Sequence, residues 1–260
     1  MSRDHAGAVE QAFTQQAAAF EDPRYADIFI APSGWMFAPL ELRPDDLLLD
    51  VAAGTGHAAR ALAGSVRCAI ALDATAAMLA EGKAAADRAG IRNLVFVRGD
   101  AAALPFPDGT FDAVVTRYAV HHFEAPERPL AEMVRCLRPG GRLAVGDIAV
   151  DADPAIAATQ NRLERLRDPS HVRALAPEEL AALLQGAGLE IVSAETREVE
   201  RPLAPWLDQS DASAEVRERI AAAFAAEIAG GPPTGLRPRE RDGALHFVHR
   251  IASVVAIRPH

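Results

Sequence analysis

Leu47-Leu48-Leu49-Asp50-Val51-Ala52-Ala53-Gly54-Thr55-Gly56-His57-Ala58-Ala59 is the stretch from which the rest of the chain can be read. Its leucines and Val51 make 47–51 a short buried strand carrying one acid. Residues 52–56 have almost no side-chain bulk, and two of them are glycine, so the chain turns there with its backbone uncovered. His57 to Ala63 then starts a helix. In strand, glycine turn and helix, a ligand lies against bare N–H groups at the helix N-terminus.

The pattern continues downstream. Strands are expected at Cys68–Leu72, ending in Asp73, and at Leu94–Arg98, Phe111–Thr116 and Leu143–Ile148, the last after a turn at Arg138-Pro139-Gly140-Gly141. Helices are expected at Thr75–Ala89, with Thr75 as N-cap, and at Pro126–Leu137, whose Leu130, Met133, Val134 and Leu137 recur at helical spacing. This alternation predicts an α/β fold, a Rossmann-like doubly wound sheet. Beyond Ile148 helices are expected at Asp153–Arg167, with Arg162, Arg165 and Arg167 exposed, at Pro177–Ala187 and at Ala214–Ile228. Strands six and seven are expected at Leu189–Val199 and Leu245–Ile257 without a long crossover, which predicts seven strands, mostly parallel, with the last antiparallel. Ahead of the turn, Val9, Phe13, Ala17 and Phe20 share one helical face, so Ala8–Phe20 reads as an amphipathic helix ending before Asp22-Pro23. Tyr25–Phe37 is too apolar for a solvated tail. This N-terminal part is either a surface patch or a lid over the ligand. Residues 1–260 therefore read as one domain: a helical cap at 1–46, a cofactor-binding core at 47–150, and substrate-side helices and strands at 151–260.

The chain has 260 residues, 50% hydrophobic and 24% charged, with a formal charge of −9. That is ordinary for a globular enzyme, and no basic face for nucleic acid is visible. Cys68 and Cys136 sit in apolar runs and read as reduced core residues in a cytoplasmic protein, which disfavours zinc, arsenic and redox chemistry. No apolar run reaches the roughly 20 residues that span a bilayer, and the first ten residues carry no signal-peptide pattern.

Gly54-Thr55-Gly56-His57-Ala58-Ala59 formally fits a dinucleotide loop, with Asp73 near the ribose position. Asp50 opposes that reading, because a pyrophosphate is repelled by a carboxylate, whereas an ammonium and a sulfonium are attracted. Asp73 can chelate two ribose hydroxyls, and Asp100 can accept from an adenine amine while Ala101 N–H donates to the ring. Acids at three successive strand ends suit a cationic nucleoside. Taken singly, Asp50 or Asp100 is better explained as a helix N-cap or turn former; together, in order and at strand ends, they favour the binding reading.

Asp50-x-x-x-Gly54-x-Gly56, Ala71-Leu72-Asp73-Ala74-Thr75-x-x-Met78-Leu79, Gly99-Asp100-Ala101-x-x-Leu104-Pro105-Phe106, Phe111-Asp112-Ala113-Val114 and Leu137-Arg138-Pro139-Gly140-Gly141 together resemble the class I S-adenosylmethionine-dependent methyltransferases. The likeness is to the branch with ubiquinone/menaquinone C-methyltransferases and many small-molecule enzymes. Its specific motifs cover about Leu40 to Ile148, and a looser likeness runs through Arg167–Arg173 to the final strand. The resemblance implies a seven-stranded sheet with its last strand antiparallel. It implies that Asp50, Ala52, Gly54, Thr55 and Gly56 hold the methionine end, Asp73 the ribose, and Asp100 and Ala101 the adenine beside Ala74 and Met78. Arg117 to His122 would close over the methionine moiety and face the acceptor.

Methyl transfer from a sulfonium needs alignment and exclusion of water, and a base only for a weak nucleophile. The candidates are Tyr118, His121 and His122, with Asp147 next at the end of strand five. The opposing reading makes the two histidines packing features and Asp147 a helix cap. His171 and Arg173 either contact an anionic acceptor or lie solvated, and His57 reads as a cofactor-side or helix-start residue. No metal is expected. The expected activity is transfer of a methyl group from S-adenosylmethionine, yielding S-adenosylhomocysteine, to a small molecule of secondary metabolism or quinone-like biosynthesis. The alternatives are the same fold using the cofactor without methyl transfer, as a cyclase or partner subunit, and a nicotinamide oxidoreductase. The oligomeric state is left open, a homodimer included.

Overall fold

The computed structural model describes residues 3–22 and 34–260. The chain begins with α1 (Arg3–Phe20) and one helical turn, α2 (Gly34–Phe37). Only residues 34–37 of the Tyr25–Phe37 stretch are described. Then β1 (Leu47–Val51), α3 (His57–Leu62), β2 (Cys68–Asp73), α4 (Ala76–Arg88), β3 (Leu94–Arg98) and β4 (Phe111–Arg117) alternate, followed by α5 (Glu127–Cys136) and β5 (Leu137–Ala149). The remainder is α6 (Pro154–Arg167), α7 (Pro177–Gly186), β6 (Glu190–Pro202), α8 (Leu203–Gln209), α9 (Ala214–Ile228), β7 (Arg239–Arg241) and β8 (Ala244–Ile257).

Seven strands form one path in the order β3-β2-β1-β4-β5-β8-β6, with β1 to β5 parallel and β8 antiparallel to both its neighbours. The expected seven become eight, because three-residue β7 pairs the start of β8. Its Arg-Glu-Arg has no apolar alternation to announce it. The chain steps from β1 outward to β2 and β3, then returns to lay β4 against the other side of β1. The carboxyl ends of β1 and β4 therefore flank the switch point, where open α/β sheets bind ligands.

Side-chain alternation divides the core. Leu49, Val51 and Val114 face the layer that contains Met133 of α5 and Leu184 of α7. Leu48, Ala113 and Val115 face the other way, against Ala58 and Ala59 of α3 and Met36 and Phe37 of α2. By the same parity Asp50 faces α3, and Arg117, two residues past Val115, lies on its side of the sheet. A third cluster joins Leu163, Trp206, Ile220 and Phe224 from α6, α8 and α9 to Phe247 near the start of β8. Helix α8 was not anticipated. It carries Pro205 in its first turn, where a missing N–H costs nothing.

Motif residues explain two further differences. Arg138-Pro139-Gly140-Gly141 is not a turn ahead of the strand but an irregularity inside 13-residue β5, where register shifts between Phe111 and Ala113 of β4. Gly140 N donates to Arg258 O and Arg258 N to Gly141 O, so the chain's last strand closes the irregularity. Asp112 accepts from Leu47 N at 2.7 Å and from Arg138 Nε at 2.5 Å, tying β1, β4 and β5 together at their starts.

Helix α4 reaches the glycine turn through Gly82, where an added Cβ would stand 2.3 Å from Thr55 O and 2.8 Å from the Phe96 ring. Gly82→Ala is therefore expected to cost about 1–3 kcal/mol through overpacking against backbone. Gly64→Ala, with nothing within 4 Å of its new methyl group, should stay within about 0.5 kcal/mol of wild type. Urea unfolding of the two variants measures the contrast.

Candidate active site

A cavity opens at the carboxyl ends of β1, β2, β3 and β4. Asp50, Asp73 and Arg117 stand at or next to the last residues of β1, β2 and β4, and Asp100 lies two residues past β3. Asp50, Ala52 and Gly54 come from the first strand and its turn, Asp73, Ala74 and Met78 from the second strand and α4, and Asp100 and Ala101 from beyond the third. Arg117, Tyr118, His121 and His122 follow β4 and face them. Gly99 also reaches the wall, a residue the sequence reading passed over.

Three expected site residues are not on that wall. Thr55 is fully buried, with its carbonyl turned to the Gly82 contact. Gly56 is the N-cap of α3, at φ 74°, packed on Phe96. Asp147 is enclosed behind His121 rather than at the rim.

The acids are held by backbone donors. Asp50 Oδ2 accepts from Ala59 N at 2.9 Å, the third residue of α3, so it caps that helix from a distance while lining the cavity. Burial pushes its carboxyl up to about 7, against the Ala59 N–H and the Arg117 charge, which favour ionisation. Asp73 accepts from Gly54 N and Thr75 N, one bond at 2.8 Å to each oxygen. A carboxylate has about four acceptor positions, so capacity for hydroxyl donors remains. Burial also raises the Asp73 carboxyl. Asp100 is exposed and accepts from Ala102 N at 2.8 Å.

Helix α1 roofs this space. Val9, Phe13, Gln16 and Phe20 line it, so the lid reading describes α1 better than the surface patch. His57 Nε2 donates to Phe20 O at 3.0 Å, and its Nδ1 accepts from Arg60 Nη2 at 2.9 Å. Arg60 also pairs with Glu21 at 2.5 Å, and Arg98 with Glu10 at 2.8 Å. Burial, with the charges of Arg60 and Arg117, lowers His57 to about 3, so it pins the lid as a neutral ring.

Opposite the acids lies a polar layer. His121 Nδ1 stands 2.5 Å from Asp147 Oδ1, and His121 N donates to Asp147 Oδ2 at 3.0 Å. Burial alone would lower His121, but Asp147 overrides it and holds the ring above its ordinary value of 6.5. His122 donates from Nδ1 to Ser170 O at 3.0 Å and rests against Phe13, ring centroids 5.0 Å apart. Burial and neighbouring His121 lower it to about 4. His171 is buried behind His121 and held by Asn161 Oδ1 at 2.7 Å, so it is neither solvated nor on the wall. Arg173 is exposed and paired with Glu179.

Sequence reasoning missed the far wall: Glu164 and Arg167 of α6, Arg201 of β6, Trp206 and Gln209 of α8, and His249 of β8. Arg167 was expected in solvent, yet its side chain is only 11% exposed. A signal existed, since Gln160, Leu163, Glu164 and Arg167 recur at the i, i+3, i+4, i+7 spacing of a buried face, but polar residues there read as a solvated helix. Among the described residues no group of three or more His, Cys, Asp or Glu is arranged to hold a metal ion, and no helix is long and apolar enough to cross a membrane. Cys68 and Cys136 are free thiols.

Residues 49–145 match the family model described as a methyltransferase domain. An uncharacterized methyltransferase, YcgJ of Bacillus subtilis, is 40% identical over 140 residues, covering 54% of this chain and 55% of that protein. The crystal structure of YcgJ aligns with a TM-score of 0.79 at 28% identity, over 87% of this chain and 97% of that one. The uncharacterized protein YafE of Escherichia coli is 34% identical over 145 residues, 56% of this chain and 70% of YafE. Demethylmenaquinone methyltransferase of Beutenbergia cavernae is 39% identical over 118 residues, 44% of this chain and 47% of that protein. The chain thus spans about half the length of YcgJ and of the Beutenbergia enzyme in sequence.

The two histidines should separate on titration. In histidine-ring NMR, His121 is expected to lose its proton above pH 6.5, while His122 stays neutral until the pH nears about 4. A raised value means that the His121–Asp147 pair stabilises the fold fully on the acid side of 6.5 and loses that contribution as pH rises through the raised value. Asp147→Asn should lower the His121 value, leaving burial opposed only by the more distant charges of Glu164 and Asp168.

Proposed function

The chain belongs to the class I S-adenosylmethionine-dependent methyltransferases, and on that premise we propose that it binds S-adenosylmethionine in this cavity and methylates a small molecule. One observation carries the reading: Asp50, Asp73 and Asp100 stand at the ends of three neighbouring parallel strands on the wall of a single cavity. The residues fit such a ligand. A Cβ built on Gly54 meets no atom within 4 Å, so the turn offers open cradle space where a side chain would stand. Asp73 keeps acceptor capacity for ribose hydroxyls, and Asp100, Ala101 and buried Met78 would hold the adenine. Asp50 attracts the ammonium and sulfonium, directly or through water. The same carboxylate would repel a nicotinamide pyrophosphate.

When bound, the cofactor supplies a methyl group made electrophilic by its sulfonium. The chain's own contribution is alignment and exclusion of water, with α1 covering the cavity and Tyr118, His121 and His122 facing the acceptor. His121 takes a proton at Nε2 where the acceptor must lose one, and Asp147 positions the ring and stabilises its charged form. His122, neutral and packed on Phe13, shapes the acceptor space. The acceptor belongs to secondary metabolism or quinone-like biosynthesis, a reading supported by the likeness to the Beutenbergia enzyme and by the aromatic lining of Phe13, Phe20, Tyr118 and Trp206. The free thiols suit a cytoplasmic setting.

Calorimetry with S-adenosylmethionine and S-adenosylhomocysteine tests the donor site. Wild type should bind both and Asp73→Ala neither; absence of wild-type binding, or tighter binding of NAD, overturns the assignment. Because Asp50 must be ionised to attract the ligand, affinity should weaken as pH falls below about 7, by up to about tenfold per pH unit, with proton release on binding in the acidic range. For an acceptor that must lose a proton, His121→Ala should lower kcat about 10²- to 10⁴-fold with donor affinity unchanged. Formation of S-adenosylhomocysteine together with a product heavier by one CH₂ separates methyl transfer from a cofactor that is bound but never consumed.

A further inference from the structure

Glu164, Arg167, Trp206 and His249 form a stretch of the cavity wall to which the donor reading gives no role. Glu164 is 1% exposed and His249 4%, and His249 Nε2 lies 2.8 Å from Glu164 Oε1. Burial would push Glu164 up, but His249 and Arg167 bring it down to about 2, so the carboxylate is ionised and can only accept. The Nε2 proton therefore points to Glu164, and burial keeps the ring neutral. Nδ1 then carries a lone pair and is an acceptor.

Arg167 supplies the complementary donor. Its Nη1 donates to Gln209 Oε1 at 3.2 Å, and its guanidinium stands 4.9 Å from the Trp206 ring centroid. Among the described residues its Nε has no hydrogen-bond partner, and it sits 3.9 Å from Glu164 Oε2, too far for a bond. The guanidinium lines the cavity with donor capacity to spare, so a ligand acceptor there gains a hydrogen bond. Asp168, 3.7 Å from the same guanidinium, joins Glu164 in offsetting the charges of Arg167 and Arg201, so the wall offers no net positive charge to a full anion. A neutral polar group escapes that penalty.

We propose that Arg167 and His249 form an anchoring subsite for a neutral hydroxyl group on a ring of the acceptor, remote from the atom that takes the methyl. The hydroxyl donates to His249 Nδ1, its oxygen accepts from the Arg167 guanidinium, and the ring lies against Trp206. Glu164 is a positioning residue that fixes the His249 tautomer. The assignment rests on the reading of this cavity as the acceptor site.

The chain has two tryptophans, so Trp35→Phe leaves Trp206 as the only reporter. Its fluorescence is titrated with 4-ethylphenol, ethylbenzene and 4-ethylbenzoate, which differ in one substituent, with and without S-adenosylhomocysteine. 4-Ethylphenol should bind at least about tenfold tighter than the other two, the worth of a hydrogen bond to a buried charged or polarised group. The preference should vanish in His249→Phe and shrink in Glu164→Gln, while ethylbenzene affinity, which a collapsed cavity would lose, is retained. If His249→Phe does not fold, Arg167→Met takes its place. Tightest binding of 4-ethylbenzoate, equal binding of all three, binding of none, or a preference unchanged in His249→Phe overturns the proposal. Loss of S-adenosylhomocysteine binding with the hydroxyl preference intact refutes the donor assignment alone. The reverse pattern refutes the anchoring subsite alone.

Discussion

The enclosed carboxylate of Asp50 is the constraint on which the rest of the structure depends. It stands 1% exposed at the end of β1, and its partner is the Ala59 N–H in the first turn of α3. A buried acid costs several kcal/mol unless donors satisfy it, so the turn between strand and helix must bend tightly enough to bring that N–H within reach. Gly54 and Gly56 make the bend at φ 56° and 74°, and Gly82 lets α4 close on its far side. The remaining compensation comes from Arg117, on the same face of β4 as Asp50 is of β1. Asp50 is both a cap for α3 and a charge on the cavity wall. The two readings that compete for such an acid are here one arrangement.

From that point the cavity divides by chemistry. One side carries acids fixed by backbone donors, a surface matched to cations and hydroxyls. The other carries histidines and arginines tied to buried carboxylates. His121 is bound to Asp147, His122 to Ser170, Ser170 to Asp168 at 2.5 Å, and His249 to Glu164, with Arg167 between the last two acids. Such a layer is expensive to bury and rigid once satisfied. Its rigidity suits transfer between two bound molecules, where rate depends on alignment.

How the chain reaches this arrangement explains what could be read early. The apolar run 47–51 announced a buried strand, and Asp50, Asp73 and Asp100 could be placed because strand ends in a parallel sheet share one rim. Asp112 and Arg138, which share the motifs' spacing, serve instead to tie strands at the opposite end. Thr55 and Gly56 sit within the most telling stretch and still turn into the core. Spacing along a chain does not report such turns, since a one-residue change in the path reverses where a side chain points.

The sequence by itself determined the alternation of elements, the parallel core with its antiparallel last strand, the glycine turn and the acids above it. All of these follow from local periodicity and from residues whose backbone or charge preferences act within a few positions. Only the tertiary structure decided that α1 lies over the cavity, that Asp147 backs His121, and that Glu164, Arg167, Trp206 and His249 share a wall. Glu164 and His249 are 85 positions apart, and their meeting depends on α6 crossing the end of β8. No local rule encodes that, because the energy that enforces it is the packing of the third core around Trp206 and Phe247 and the cost of leaving the buried Glu164 carboxylate unpaired.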